Sequence, residues 1–145
     1  APDTGGTKRA NNYAKLLDAG LAIGYKQRKK ANEVDSITVI GDVEGKDVLI
    51  IDDITDTAGT LTKAADMMVQ HGAKSVKAMC THAVLSGPAY ERIENSKLEK
   101  LFVSDTIPLK QKSNKIEVLS VAGLFADVIK RVQNFESISS HYINV

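Results

Sequence analysis

Short apolar runs alternate along the chain with longer stretches whose apolar residues recur every three or four positions. Val48-Leu-Ile-Ile51 is a continuous apolar run, the pattern of a parallel strand covered on both faces. Runs at Leu21–Tyr25, Ile37–Ile40, Ser75–Cys80, Leu101–Val103 and Ile116–Leu119 predict further strands. Between them the period becomes helical. Ala10, Tyr13, Ala14 and Leu17 share one face, as do Leu61, Ala64, Ala65 and Met68, and the second of these helices is predicted to stop at His71-Gly72. The clearest stripe is Val121, Leu124, Phe125, Val128, Ile129 and Val132, whose spacing is that of an amphipathic helix, and its apolar residues are expected in the core. Strands alternating with helices predict an α/β fold around a right-handed parallel sheet. Ligands bind such sheets at the carboxyl ends of the strands, so the chemistry is expected in the loops that follow them.

Composition narrows this picture. The 145 residues suit one domain with a sizeable core, and 43% hydrophobic with 26% charged residues is a globular rather than a disordered balance. No repeat or linker-like tract divides the chain. A net charge of +1 gives no bulk pull toward nucleic acid or membrane, and no apolar run approaches the roughly 18 residues that span a bilayer. Neither partner is therefore expected. The single cysteine, Cys80, excludes an internal disulfide framework and fits a reducing cytoplasm. Within Val76–Cys80 it reads as a buried strand residue rather than a nucleophile. The opening Ala1-Pro-Asp-Thr-Gly-Gly6 reads as an interior loop, so the chain is expected to be a fragment.

The segment after Val48–Ile51 carries the densest chemistry. Asp52, Asp53, Ile54 and Thr55 lead into Asp56-Thr57-Ala58-Gly59-Thr60 and then a helix. Small residues and Gly59 let backbone N–H groups approach a phosphate, and the helix start adds unpaired N–H groups and a positive dipole end. Thr57 and Thr60 add hydroxyl donors. Carboxylates are poor company for a phosphate, so Asp52 and Asp53 are expected to face vicinal ribose hydroxyls or a hydrated Mg²⁺. A helix cap needs one such residue, whereas three carboxylates and three threonines stand between Asp52 and Thr60. With no GxxxxGK[ST], the loop is not of the Walker type. The reading is a site for a phosphorylated pentose.

An apolar strand, Asp-Asp, then Asp-Thr-x-Gly-Thr resembles the binding motif of the type I phosphoribosyltransferase fold. The resemblance implies an α/β, three-layer parallel-sheet phosphoribosyltransferase-like domain over residues 1–145. That fold serves phosphoribosyltransferases and phosphoribosyl pyrophosphate (PRPP) synthetases, and other segments separate the two. Pro2-Asp3-Thr4-Gly5-Gly6 resembles the synthetase loop that receives the pyrophosphoryl group, and Lys26–Asp35 resembles the mobile catalytic loop. Thr81–Ala89, Arg92-Ile93 and Thr106–Pro108 also match the synthetases and are read as architecture, with Ser86 expected to cap a helix entered through Gly87 and Pro88. His82 is expected to be a hydrogen-bonded loop or core histidine, while His71 and His141 suggest no partner. Glu136–Tyr142 resembles a regulatory segment, which makes Ser137 and Ser139 a regulatory phosphate site, although the sequence departs from the family pattern after Ser139.

The resemblance covers the carboxyl-terminal half of a two-domain ribose-phosphate pyrophosphokinase, with the amino-terminal half absent. It implies that the parent enzyme moves the pyrophosphoryl group of MgATP onto the 1-hydroxyl of ribose 5-phosphate, giving PRPP and AMP. Lys26 and Arg28 are then catalytic. Arg28, Asp52, Asp53, Asp56, Thr57, Ala58, Gly59 and Thr60 bind ribose 5-phosphate. Asp3, Thr4, Gly5 and Gly6 bind the pyrophosphate, and Asp3 holds Mg²⁺, with ATP as co-substrate. The family further implies a cytoplasmic homo-oligomer built from dimers, up to a hexamer, and an isolated fragment without activity. A phosphoribosyltransferase consuming PRPP and a non-catalytic, synthetase-associated regulatory subunit are the alternatives. A phosphoribosyl-sensing transcription regulator is disfavoured by the lack of a DNA-binding motif.

Overall fold

The computed structural model describes residues 1–27 and 36–142, and at residues 26, 27, 36 and 37 the backbone alone. A 3-10 turn at Thr4–Gly6 leads into α1 (Thr7–Leu16), followed by β1 (Ile23–Gln27) and β2 (Ser36–Ile40). Then come β3 (Asp47–Thr55), α2 (Gly59–Gln70), β4 (Ser75–Ala83), α3 (Ala89–Asn95), β5 (Lys100–Ser104), β6 (Ile116–Leu119) and α4 (Ala122–Gln133), with a last 3-10 turn at Ser139–His141. Strands β3 to β6 form the expected parallel sheet, in the order β3-β4-β5-β6. Ile50 pairs with Ala78, Ala78 with Leu101, and Leu101 with Ile116, so one row of apolar side chains crosses the sheet.

The core lies where this row meets α2 and α3. Ile50, Val76, Ala78, Leu101 and Val103 are buried, and so are Leu61, Ala64, Ala65 and Met68, the stripe predicted for α2. Each large side chain buried this way contributes about 1.5–3 kcal/mol relative to exposure. The predicted stop of α2 is also present. Gly72 has φ +88°, its N–H donates to Val69, and the Ala73 N–H donates to Met68, the paired bonds of a Schellman cap.

Three expectations need correction. First, β1 and β2 are not members of the parallel sheet. They pair antiparallel as a separate ribbon, with Ile23 opposite Ile40 and Lys26 opposite Ile37. A parallel pairing needs a crossover of a dozen or more residues, and the chain between these strands is too short to make one. Tyr25 and Ile40 remain exposed, as suits a ribbon with one wet face. Second, the stripe on α4 is not core. None of its residues is buried, and Leu124, Phe125, Ile129 and Val132 are about half exposed, beside exposed Val118 and Leu119 of β6. Periodicity assigns residues to a common face and says nothing of what that face meets. Third, Ser86 does not cap α3. Pro88 occupies the cap position, and the Ser86 hydroxyl instead donates to Asp56.

One close approach positions the amino-terminal turn. The Gly24 N–H donates to the Ala1 carbonyl at 2.9 Å, and a Cβ at Gly24 would lie 2.5 Å from the Pro2 carbonyl oxygen. Only glycine lets β1 hold Ala1–Pro2 this closely.

Candidate functional site

At the carboxyl end of β3, Asp52 and Asp53 give way to the loop Asp56–Ala58 and the start of α2. The 3-10 turn and the first turn of α1 close the opposite side. Between them lies a cavity of about 470 Å³. Asp3, Gly5, Gly6, Asp52, Asp53 and Asp56–Thr60 all line it, so segments some fifty residues apart in sequence converge on one space.

The loop into α2 is shaped for an anion. Ala58 adopts a left-handed conformation (φ 57°, ψ 9°), which costs a non-glycine residue about 1–2 kcal/mol. Burial of Ala58 and two bonds to its carbonyl, from the Thr62 N–H at 3.0 Å and the Thr62 hydroxyl at 2.8 Å, hold it there. No side chain caps α2, and the N–H groups of Thr57 to Leu61 find no acceptor among the described residues. These open donors and the helix dipole favour a phosphate. The connection between β4 and α3 braces the loop from outside. The Leu85 N–H donates to the Thr55 carbonyl, Ser86 bonds Asp56 through both hydroxyl and N–H, and Arg92 donates to the Thr57 carbonyl at 2.9 Å.

The facing turn is less open. Asp3 caps it by accepting the Gly6 N–H at 3.2 Å, so that amide is already engaged. Arg9 of α1 reaches Asp52 at 3.4 Å and Asp53 at 2.7 Å. The two adjacent carboxylates titrate as a pair. Burial pushes Asp52 above the usual carboxylate range. Asp53 is held below it: desolvation works the other way, but hydrogen bonding with Asp52 and its own backbone, together with Arg9, prevails.

The donor set suits a hard cation only in part. Asp3, Asp52 and Asp53 are oxygen donors of the kind Mg²⁺ takes, yet no group of three potential ligands is gathered among the described residues. That fits an ion held by one or two carboxylates and completed by substrate phosphates and water.

Several sequence-predicted residues lie elsewhere. Lys26 stands in β1 with its side chain, like all of Arg28, outside the described residues. Ser137 and Ser139 follow α4 and do not line the cavity; their hydroxyls are 2.9 Å apart. Cys80 is buried and its thiol is pushed up chiefly by desolvation, so it is no nucleophile. His82 bonds Thr106 through Nδ1 at 3.0 Å, while His71 meets the Met67 carbonyl and His141 meets Asp127, each at 2.8 Å. Arg9 escaped the sequence reading, because a basic residue beside Lys8 on a helix carries no signal of a partner more than forty residues away.

The chain as a whole is similar to proteins of one kind. The family described as phosphoribosyl synthetase-associated domain matches residues 27–143. A ribose-phosphate pyrophosphokinase of Porphyromonas gingivalis is 54% identical over 141 residues, covering 97% of this chain and 45% of that protein. The protein of the same name from Campylobacter jejuni is 53% identical over 143 residues, covering 99% and 46%. The crystal structure of phosphoribosylpyrophosphate synthetase from Mycobacterium smegmatis superposes with a TM-score of 0.84 at 34% identity, covering 92% of this chain and 43% of that one. The chain thus spans a little under half the length of the curated relatives it matches.

Proposed function

The chain belongs to the phosphoribosyl synthetase-associated domain family, and on that premise we propose that it is the sugar-phosphate half of a ribose-phosphate pyrophosphokinase. The reaction moves the β,γ-pyrophosphoryl group of ATP to the 1-hydroxyl of ribose 5-phosphate, giving PRPP and AMP. The observation that carries this reading is the convergence of Asp3, Gly5 and Gly6, the carboxylate pair and the open-amide loop on one cavity, which Thr4 does not line. A phosphoribosyltransferase has no need of the first of these.

Each element has a task in that reaction. Asp56 to Thr60 hold the 5-phosphate through backbone N–H and hydroxyl groups. Asp52 and Asp53 accept hydrogen bonds from the ribose hydroxyls, which aims the 1-hydroxyl toward the donor. Asp3 and the turn Thr4–Gly6 receive the incoming pyrophosphoryl group, as the family resemblance implies. Lys26 and Arg28, assigned from the family resemblance, close over the triphosphate and offset charge developing in transfer. Asp3 would hold Mg²⁺, which would supply charge neutralisation at the substrate phosphates. Phosphoryl chemistry of this kind asks for positioning and charge, so no covalent nucleophile is needed. The same reading places the protein in the cytoplasm as a homo-oligomer built from dimers, with Ser137 and Ser139 as a regulatory phosphate site. No helix among the described residues is long and apolar enough to cross a membrane.

The decisive assay follows AMP and PRPP formation from ATP and ribose 5-phosphate by the intact protein. Lys26→Ala and Arg28→Ala should each lower turnover by roughly 100-fold, as loss of a positioned transition-state donor does. Near-normal turnover in both removes the assigned clamp. Consumption of PRPP in the presence of a free base, without ATP-dependent PRPP synthesis, defeats the proposal itself.

A further inference from the structure

Arg9 has no role in the reaction described so far, yet among the described residues lining the cavity it is the only cation. It stands on the first turn of α1, three residues after Gly6, and reaches across to β3. Its Nη1 donates to Asp52 Oδ1 at 3.4 Å and its Nη2 to Asp53 Oδ2 at 2.7 Å. Backbone groups hold the same carboxylates from behind. The Asp53 N–H donates to Asp52 Oδ1 at 3.0 Å, and the Ile54 N–H donates to Asp53 Oδ1 at 2.9 Å. Both oxygens of Asp53 and one of Asp52 are thereby engaged. Asp52 Oδ2 accepts no bond from the described residues.

Stability does not account for this arrangement. The Arg9 side chain is 35% exposed and that of Asp53 55%, and ion pairs so open to solvent add little to folding. Geometry does. A guanidinium is a rigid planar fork that fixes the orientation of the carboxylates it bridges, which a point charge on a flexible stem does not. We propose that Arg9 is the positioning residue of the sugar site. It locks Asp53 and one oxygen of Asp52, and so leaves Asp52 Oδ2 presented to a ribose hydroxyl. The inference rests on the reading of Asp52 and Asp53 as ribose ligands.

The test is calorimetric titration of ribose 5-phosphate into the intact protein, with steady-state kinetics alongside, for wild type, Arg9→Met and Arg9→Lys. Arg9→Met should weaken ribose 5-phosphate binding about 10-fold or more, the usual effect of losing a charged hydrogen bond. Its KM for ribose 5-phosphate should rise in step while the KM for ATP stays put and kcat changes little. Arg9→Lys should recover part of the affinity but not all, because charge without the fork only partly restrains the pair. Unchanged affinity in Arg9→Met overturns the proposal. So does a fall in kcat at constant KM, which would put Arg9 on the transferring group. An equal rise of both KM values with a lowered melting temperature would make Arg9 merely structural. Should wild type bind ribose 5-phosphate yet form no PRPP, the synthetase reading fails while calorimetry still decides the role of Arg9.

Discussion

Asp52 is a charged side chain held where water reaches it poorly. Desolvation raises its pKa above the ordinary value of 3.8, and the neighbouring charges of Asp53 and Asp3 push the same way. The raised value means that the folded protein binds the proton more tightly than the unfolded chain does. Below pH about 3.8 both states are protonated and the group is neutral in its effect. As pH climbs through the higher folded-state value, ionisation increasingly opposes folding. Asp52→Asn should therefore raise the thermal midpoint at pH 7, and the gain should fade as pH falls toward 3.8. It should also impair ribose 5-phosphate binding, the trade of stability for function common at active sites. A midpoint at pH 7 lower than that of wild type would show that the carboxylate is not under strain.

At the level of elements, the loop between β3 and α2 is tied to α3 as well as to α2. Arg92 ties the Thr57 carbonyl, and its Nη1 would lie 3.1 Å from a Cβ placed on Gly59. Arg92→Ala should weaken ribose 5-phosphate binding by roughly 10-fold through loss of a charged hydrogen bond, with little change in melting temperature. Titration calorimetry and a thermal scan on one preparation check both halves of that statement. The loop itself was legible in the sequence, since apolar strand, acidic pair, small residues and amphipathic helix each leave a local mark. So was the end of α2 at Gly72, because a left-handed cap selects glycine. Arg92 was visible only as part of a matching segment. Arg9 and the Ser86–Asp56 bond were not visible at all, because they are made by tertiary proximity. The ribbon β1–β2 was misassigned because apolar runs reveal strands but not their partners.

For the whole molecule, apolar content is unevenly spent. The sheet and α2 enclose a tight core, whereas α4 and β6 present Val118, Leu119, Leu124, Phe125, Ile129 and Val132 to solvent in the described structure. Sequence pattern alone could not distinguish these two fates, since both helices carry the same stripe. Their responses to mutation should differ sharply. Leu101→Ala, in the core, should cost about 2–5 kcal/mol, while Phe125→Asp with Ile129→Asp should cost this chain less than about 1 kcal/mol. Denaturant titration of residues 1–145 distinguishes them. A loss of several kcal/mol in the double variant would mean that α4 is packed after all.

The place of β3 at one end of the order β3-β4-β5-β6 has its own consequence. Successive N–H groups of a strand point to opposite edges, and among the described strands only β4 pairs with β3. Along Asp47–Ile51, deuterium uptake in this chain should therefore alternate, slow at amides bonded to β4 and fast at those between them. The central strand β4, bonded on both sides from Lys77 to Cys80, should show no such alternation there. The strand that carries Asp52 and Asp53 is thus clamped along one edge and, within this chain, open to isotope exchange along the other.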